Sequence, residues 1–326
     1  MSFIEVKNLT KTFKVSKRKE GRFSMIRTFF SRSYKYIKAI DDISFSIDEG
    51  EIVGYIGPNG AGKSTTIKIL SGILTPSSGM VKIDNKVPYL ERKEYVKEIG
   101  VVFGQRSQLW WDLPVIDSFN LLKDIYKLND DEYQKTLVEL VRLLNLKDII
   151  NIPVRQLSLG NRMKAEIGAA LLHKPKILFL DEPTIGLDAV SKKVVRDFIK
   201  KINKENKVTV ILTTHDMNDI STLANRVILI GKGKKLYDGS LKKIKEEYDF
   251  LRTVKVVTND KVLIEEDYVY EINKLKDGIE YVIDTRKIDV SRFINILSSK
   301  ISIIDIDIEN KSIDDIIVKL YEEYGI

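Results

Sequence analysis

Cysteine is absent from the 326 residues of this chain. Its absence excludes disulfide bonds, thiolate metal sites and cysteine nucleophiles. The sequence also lacks any apolar run of roughly 18 residues or more, so no segment is expected to span a membrane. Residues 1–6 have neither the basic start nor the apolar core of a signal peptide, and they are predicted to begin a strand. We therefore expect a protein of the cytosol.

Positive charge is unevenly distributed along the chain. The net charge at pH 7 is +7, and residues 14–38 contain nine Lys or Arg residues against a single acid, Glu20. This one stretch therefore accounts for the excess of positive charge. The remaining composition, with 43% hydrophobic and 31% charged residues, is that of an ordinary globular protein long enough for two domains.

The basic stretch 14–38 also carries aromatic residues at helical spacing. Phe23, Ile26, Phe30 and Tyr34 recur every three or four residues, with arginines on much of the remaining surface. This pattern predicts a short amphipathic helix of the kind that lies in a membrane interface. A surface helix that packs its aromatic residues on the domain explains the same pattern, and the two interpretations stay open.

A glycine-rich loop follows the predicted strand at residues 52–56. Residues 57–64 fit the P-loop pattern G-x-x-x-x-G-K-[ST], in which backbone N–H groups and the start of a helix bind phosphate. Lys63 is expected to reach the β- and γ-phosphates, and the Ser64 hydroxyl to bind Mg²⁺. The predicted nucleotide-binding residues here are Gly57, Pro58, Asn59, Gly60, Ala61, Gly62, Lys63, Ser64 and Thr65.

Strands and helices alternate through the first 240 residues. The strands are short and apolar, as at 99–103, 177–180 and 208–212. This alternation predicts a parallel sheet flanked by helices, hence an α/β fold. After residue 240 the pattern changes, and residues 241–326 are predicted to form a small C-terminal α+β domain.

Further motifs follow the loop in a fixed order, and with it they resemble the ATP-binding cassette (ABC) family of ATPases over residues 3–240. The motifs are Gln105 after a strand, Leu-Ser-Leu-Gly-Asn at 157–161, Asp181-Glu182 at the end of a strand, Gly-Leu-Asp at 186–188 and His215. The resemblance implies a P-loop NTPase cassette at 1–240, with a mostly parallel sheet, an antiparallel β subdomain and a helical subdomain at about 106–172.

The resemblance also implies roles in ATP hydrolysis for five side chains. Glu182 is expected to orient and deprotonate the attacking water, and His215 to donate to the γ-phosphate. Asp181 and Ser64 are expected to hold Mg²⁺, and Gln105 to offer its amide to the metal and the water. ATP and Mg²⁺ are therefore the expected cofactors.

In the family, the signature segment binds a nucleotide held by the opposite protomer. The resemblance therefore implies that Ser158, Gly160 and Asp188 serve a second subunit's site, and that the chain works as a dimer, most simply a homodimer. Two signature residues depart from the family's LSGGQ pattern. Leu159 replaces its first glycine, and Asn161 is shorter than glutamine.

The adenine ring is expected to stack on an aromatic residue from the first strand, as the family does. Phe13 is the candidate. Tyr36 is the alternative, because it lies at the far end of the basic stretch.

The single cassette with a C-terminal α+β domain resembles the ATPase subunits of ABC-2 type exporters, whose membrane permease is a separate polypeptide. Trp110 and Trp111 follow Gln105, where the family contacts permease helices, and exposed tryptophan is typical of interfaces. Alternatively, both pack inside the helical subdomain. The expected location is peripheral, on the cytoplasmic face of the cell membrane, with the basic stretch 14–38 as a candidate membrane contact.

Two other functions fit parts of the sequence. A soluble ABC ATPase that acts on ribosomes or nucleic acid would use the basic stretch as an electrostatic contact. Such proteins usually carry two cassettes or a long coiled coil, so no nucleic-acid partner is expected here. The ATPase subunit of an importer would look similar over much of its length.

Overall fold

The computed structural model describes residues 2–16, 34–104, 106–248, 250–260, 262–310 and 313–325. The chain divides into two compact units, Met1–Gly239 and Ser240–Ile326. Among the described residues, no helix is both long enough and apolar enough to cross a membrane.

The first unit alternates strands and helices along most of its length. In chain order its elements are β1 (Ile4–Ser16), β2 (Tyr34–Ile47), β3 (Ile52–Ile56), α1 (Lys63–Leu70), β4 (Ser78–Ile83), α2 (Arg92–Tyr95), β5 (Ile99–Phe103), α3 (Val115–Tyr126), α4 (Asp130–Leu143), a 3-10 turn (Val154–Gln156), α5 (Leu159–Leu171), β6 (Ile177–Asp181), α6 (Ala189–Asn206), β7 (Thr209–Thr213), α7 (Met217–Leu223), β8 (Arg226–Gly231) and β9 (Lys234–Ser240).

A six-stranded sheet in the order β5-β6-β7-β3-β8-β9 forms the centre of this unit. β3 pairs in parallel with β7 and β8, and β6 pairs in parallel with β5 and β7. β7 is buried along its whole length, which explains the continuous apolar sequence of these strands. The predicted parallel sheet is confirmed. Its carboxyl ends, among them Ile56, Asp181 and Thr213, meet at one edge, where ligands of such sheets bind.

The helical segment predicted between β5 and β6 is present as α3, α4 and α5. Asn129 caps the start of α4, and its side chain accepts a hydrogen bond from the Asp131 N–H at 2.9 Å. Its buried face carries Tyr133, Thr136 and Leu140. This segment places Trp110 and Trp111 before α3 and the residues of the signature at the start of α5.

The antiparallel sheet has the order β2-β1-β4, and it corrects the prediction for the basic stretch. Tyr34 belongs to β2 rather than to a helix, because the ladder between β1 and β2 continues to the pair Ser16 and Tyr34. Alternating aromatic residues at 34 and 36 favour a strand, and the Lys14 ammonium lies 3.8 Å from the Tyr34 ring centroid across the ladder. Phe23, Ile26 and Phe30 lie outside the described residues.

The second unit contains α8 (Leu241–Tyr248), β10 (Leu251–Val257), β11 (Val269–Leu275), β12 (Gly278–Asp284), α9 (Val290–Lys300), β13 (Asp305–Asn310) and α10 (Ile313–Glu323). Its four strands form an antiparallel sheet in the order β11-β12-β10-β13. This order is that of a split βαββαβ fold, and the described residues 258–260 and 262–268 between β10 and β11 are not helical. Tyr281, Phe293 and Leu297 are fully buried in its core.

Candidate functional site

The loop after β3 has the backbone geometry that the P-loop pattern predicts. Gly62 has φ of +107°, and a Cβ at this position would lie 2.5 Å from the Ala39 carbonyl oxygen. Only glycine fits such a backbone without displacing β2. Gly62 is also the residue before α1, whose first turn has no side-chain cap. The free N–H groups at this helix start therefore remain available to an anion.

Lys63 lies folded over the loop. Its ammonium donates to the carbonyl oxygens of Gly57 at 2.6 Å and Pro58 at 3.2 Å, and the side chain is buried. Burial lowers the pKa of Lys63, while the carboxylates of Glu182 and Asp181 act in the opposite direction. The ammonium is therefore held beside the loop and close to two acids.

Asp181 and Glu182 follow one another at the end of β6 but face different partners. The Thr213 hydroxyl donates to Asp181 Oδ1 at 2.5 Å. Glu182 has φ of +56°, an uncommon backbone for a residue other than glycine, and its Oε1 lies 3.0 Å from His215 Nε2. The same histidine nitrogen is 3.5 Å from Lys63 Nζ. The structure thus brings Lys63, Glu182 and His215 together.

A buried carboxylate that the sequence did not reveal supports this cluster. Asp219 on α7 is fully buried and accepts hydrogen bonds from Thr184 and Thr214, and from the Arg196 side chain on α6. Thr184 is two residues from Glu182, and Thr214 precedes His215. Asp219 therefore holds together the segments that carry Glu182 and His215. No sequence motif identified it, because its partners come from three separate parts of the chain.

The predicted signature and 186–188 residues form a second group. Ser158 precedes α5 and accepts from the Asn161 N–H at 3.3 Å, and Asp188 precedes α6 and accepts from the Ser191 N–H at 2.8 Å. A Cβ on Gly160 would lie 2.7 Å from the Ser191 hydroxyl, so the two helix starts pack directly together.

Leu159, which departs from the family pattern, also belongs to this contact. A Cβ on Gly186 would lie 2.7 Å from Leu159 Cδ2. The leucine side chain therefore covers the glycine of the 186–188 turn.

Of three other predicted residues, the structure describes the two aromatic candidates for the adenine contact but not Gln105. Phe13 is half-buried and pairs with Ile37, whereas Tyr36 is exposed on β2 opposite Lys14. Both lie on the β1–β2 ladder, so the choice between them stays a prediction. Gln105 lies outside the described residues.

The donor set at this edge suits a nucleotide with Mg²⁺. Asp181 offers a carboxylate and Ser64, in the first turn of α1, a hydroxyl, and such hard oxygen ligands are those that Mg²⁺ prefers. Mg²⁺ is usually held by one or two carboxylates together with the phosphates.

Comparisons with known proteins agree with this geometry. The profile of a family described as ABC transporter matches residues 40–185. The ABC transporter ATP-binding protein NatA of Bacillus subtilis is 34% identical over 217 residues, which are 67% of this chain and 88% of NatA. The methionine import ATP-binding protein MetN of Lactobacillus acidophilus is 31% identical over 253 residues, which are 75% of this chain and 67% of MetN.

A solved structure shows the same cassette fold. The dimeric ATP-binding cassette MJ0796, in a post-hydrolysis state bound to ADP and Pi, superposes with a TM-score of 0.61 at 30% identity, over 73% of this chain and 98% of the cassette. The chain therefore belongs to the ABC transporter ATP-binding proteins, and it binds and hydrolyses ATP.

Proposed function

We propose that the chain is the nucleotide-binding subunit of an ABC-2 type exporter, which dimerises and drives a separate membrane permease from the cytoplasmic face of the cell membrane. The observation that carries this proposal is the exposure of two adjacent tryptophans beside the segment of Gln105. Trp110 is 39% and Trp111 51% exposed. Large aromatic side chains left at a surface are typical anchors of protein interfaces.

Two further apolar residues are exposed on the helical segment. Leu121 and Ile125, one turn apart on α3, are 39% and 62% exposed. The Trp110 N–H donates to the Ser118 hydroxyl at 3.1 Å, which fixes the tryptophans against the start of that helix. Trp110, Trp111, Leu121 and Ile125 are the docking face in this proposal, and a permease helix is the expected occupant.

The residues at the sheet edge have the following roles in hydrolysis. Lys63 and the N–H groups of the loop bind the β- and γ-phosphates, and Glu182 takes the proton of the attacking water. His215, within 3.0 Å of Glu182, orients that carboxylate and donates to the γ-phosphate. Asp181 and Ser64 would hold Mg²⁺, which neutralises charge that develops on the phosphate oxygens.

The position of the second group of residues supports the proposed dimer. Ser158 is exposed at the start of α5, beside Asp188 at the start of α6. A helix start with an exposed hydroxyl is suited to bind an anion carried by another molecule. MJ0796, which is similar to this chain, is dimeric.

Capture of the partner from membranes tests the transport proposal. Tagged Glu182→Gln is incubated with detergent-solubilised native membranes, ATP and Mg²⁺, and bound proteins are identified by mass spectrometry. We expect a multi-span permease of the ABC-2 type. The same chain with Trp110→Ala and Trp111→Ala should lose it, while Leu90→Ala, which truncates a 75% exposed apolar residue of another segment, should retain it.

Other captured partners would change the assignment. MetN, to which the chain is similar, is a methionine import protein, so import is the second candidate. Capture of an importer permease would replace export by import. Capture of ribosomes or nucleic acid would remove the transport function and leave the ATPase chemistry.

A further inference from the structure

Glu166 is a buried acid on α5 that the chemistry above does not use. It is 3% exposed and lies two turns after Ser158 on the same helix. A buried carboxylate is costly unless it is hydrogen-bonded, so its partners are informative.

Glu166 is hydrogen-bonded to one short segment, residues 107–109. The Ser107 hydroxyl donates to Oε1, and the Gln108 N–H donates to Oε2 at 3.1 Å. The Gln108 side-chain amide donates to the Glu166 carbonyl oxygen at 2.8 Å, and the Leu109 N–H donates to the Ser107 hydroxyl at 3.1 Å. Directional hydrogen bonds therefore hold this segment in one position on α5. Apolar packing alone is not directional and would not fix that position.

The two parts that Glu166 joins belong to different ATP sites in a cassette dimer. Residues 107–109 begin two positions after Gln105, which the family resemblance assigns to the chain's own site. α5 begins at Ser158, which it assigns to the partner's site. A fixed link between the segment and the helix would make the two move together.

We propose that Glu166 is a positioning residue that fastens residues 107–109 to α5. A movement caused by ATP binding at the chain's own P-loop is thereby transmitted to α5. Burial raises the pKa of Glu166, and the hydrogen bonds from Ser107 and Gln108 act against that rise. Removal of one partner of a buried, hydrogen-bonded charge leaves the other partner unpaired. Truncation of either Glu166 or Ser107 should therefore release residues 107–109 from α5.

The chain carries its own probe for this movement, because its two tryptophans, Trp110 and Trp111, follow the fastened segment. The purified chain with Glu182→Gln is titrated with ATP and Mg²⁺, and tryptophan emission is recorded without any permease. We expect ATP to change the emission. Addition of Glu166→Ala should abolish most of that change. The affinity for a fluorescent ATP analogue should stay within about twofold, because the residues bonded to Glu166 lie outside the phosphate loop.

Hydrolysis gives a second readout in chains that retain Glu182. Glu166→Ala and Ser107→Ala should each lower kcat by about tenfold to a hundredfold with little change in KM, the expected effect of a misplaced catalytic segment. Glu166→Gln, which still accepts a hydrogen bond, should recover part of both readouts. Thr136→Ala is the control, because its hydroxyl bonds to the Glu132 carbonyl oxygen within α4, at 2.9 Å.

These experiments distinguish a positioning role of Glu166 from a packing role, and they are independent of the transport function. Ser107→Ala removes the link from the other side, so a fold weakened by Glu166→Ala does not decide the result. Emission that ATP leaves unchanged in the parent chain would overturn the proposal, as would wild-type kcat and emission in both link variants. Neither result depends on a permease, so the transport proposal stands or falls separately.

Discussion

At the end of β6, Glu182 lies in a left-handed backbone conformation that turns its carboxylate towards His215, 3.0 Å away. Its neighbour Asp181 is held by Thr213 instead. The two acids therefore face different partners, which suits the roles proposed for Glu182 as the base and Asp181 as a metal ligand. Such strained backbone positions are frequent at catalytic sites.

Glu182→Gln should bind ATP normally and lose hydrolysis by about 10²- to 10⁴-fold, the usual contribution of a general base. Phosphate release and nucleotide binding by calorimetry check this on the purified chain. Glu205→Gln, at the exposed end of α6, is the control and should keep wild-type turnover. Near-normal turnover of Glu182→Gln would remove this residue as the base.

Two glycines of the phosphate loop give a second test. Gly60 and Gly62 both have positive φ, +81° and +107°, but a Cβ on Gly60 would meet nothing within 4 Å. Gly60→Ala should therefore cost only backbone strain, roughly 1–2 kcal/mol. Gly62→Ala adds a collision with the Ala39 backbone oxygen, and it should abolish ATP binding. Equal ATP affinities of the two variants would contradict the loop geometry.

The sequence predicted the loop, Asp181, Glu182 and His215 because each lies in a local motif. Asp219 and Glu166 were not predicted from the sequence, for a physical reason. The partners of Glu166 are 58 and 59 residues away along the chain, and those of Asp219 come from α6 and from the ends of β6 and β7. A buried acid is recognisable only once the fold has brought its donors together.

At the scale of elements, the parallel strands were predictable because burial on both faces leaves continuous apolar runs. The β1–β2 ladder was not predicted at Tyr34. Helical spacing of aromatic residues included Tyr34, but pairing with Ser16 across the ladder decides its conformation. Strand pairing over this distance depends on long-range contacts, which periodicity within one segment does not contain.

The same ladder carries both candidates for the adenine contact. Phe13→Ala should weaken ATP and GTP binding alike by about 1–3 kcal/mol, because stacking does not read the edge of the base. Binding of both nucleotides to Phe13→Ala and Tyr36→Ala checks it, each variant serving as the other's control. If only Tyr36→Ala weakens binding, the adenine partner is Tyr36.

At the scale of the whole molecule, the first unit contains the residues proposed for ATP hydrolysis, and the second has a small fold of its own. Its βαββαβ strand order could not be derived from the sequence, because the same series of strands and helices permits several topologies. Within the first unit, the described residues form two groups, one around Lys63 and one around Ser158. In the proposed dimer, a complete site takes one group from each protomer. Mixtures of two variants can test this arrangement.

Lys63→Ala removes the phosphate contact of a chain's own loop, and Ser158→Arg blocks the signature it offers to a partner. Each variant alone should form only inactive dimers. A mixture contains heterodimers with one intact composite site, because the intact loop of one chain meets the intact signature of the other. ATPase activity should therefore return on mixing and should rise with the fraction of heterodimers.

Mixing each variant with itself at the same total concentration is the control. A mixture that stays inactive, although crosslinking shows heterodimers, would mean that each chain completes its site alone and that the shared-site dimer is wrong.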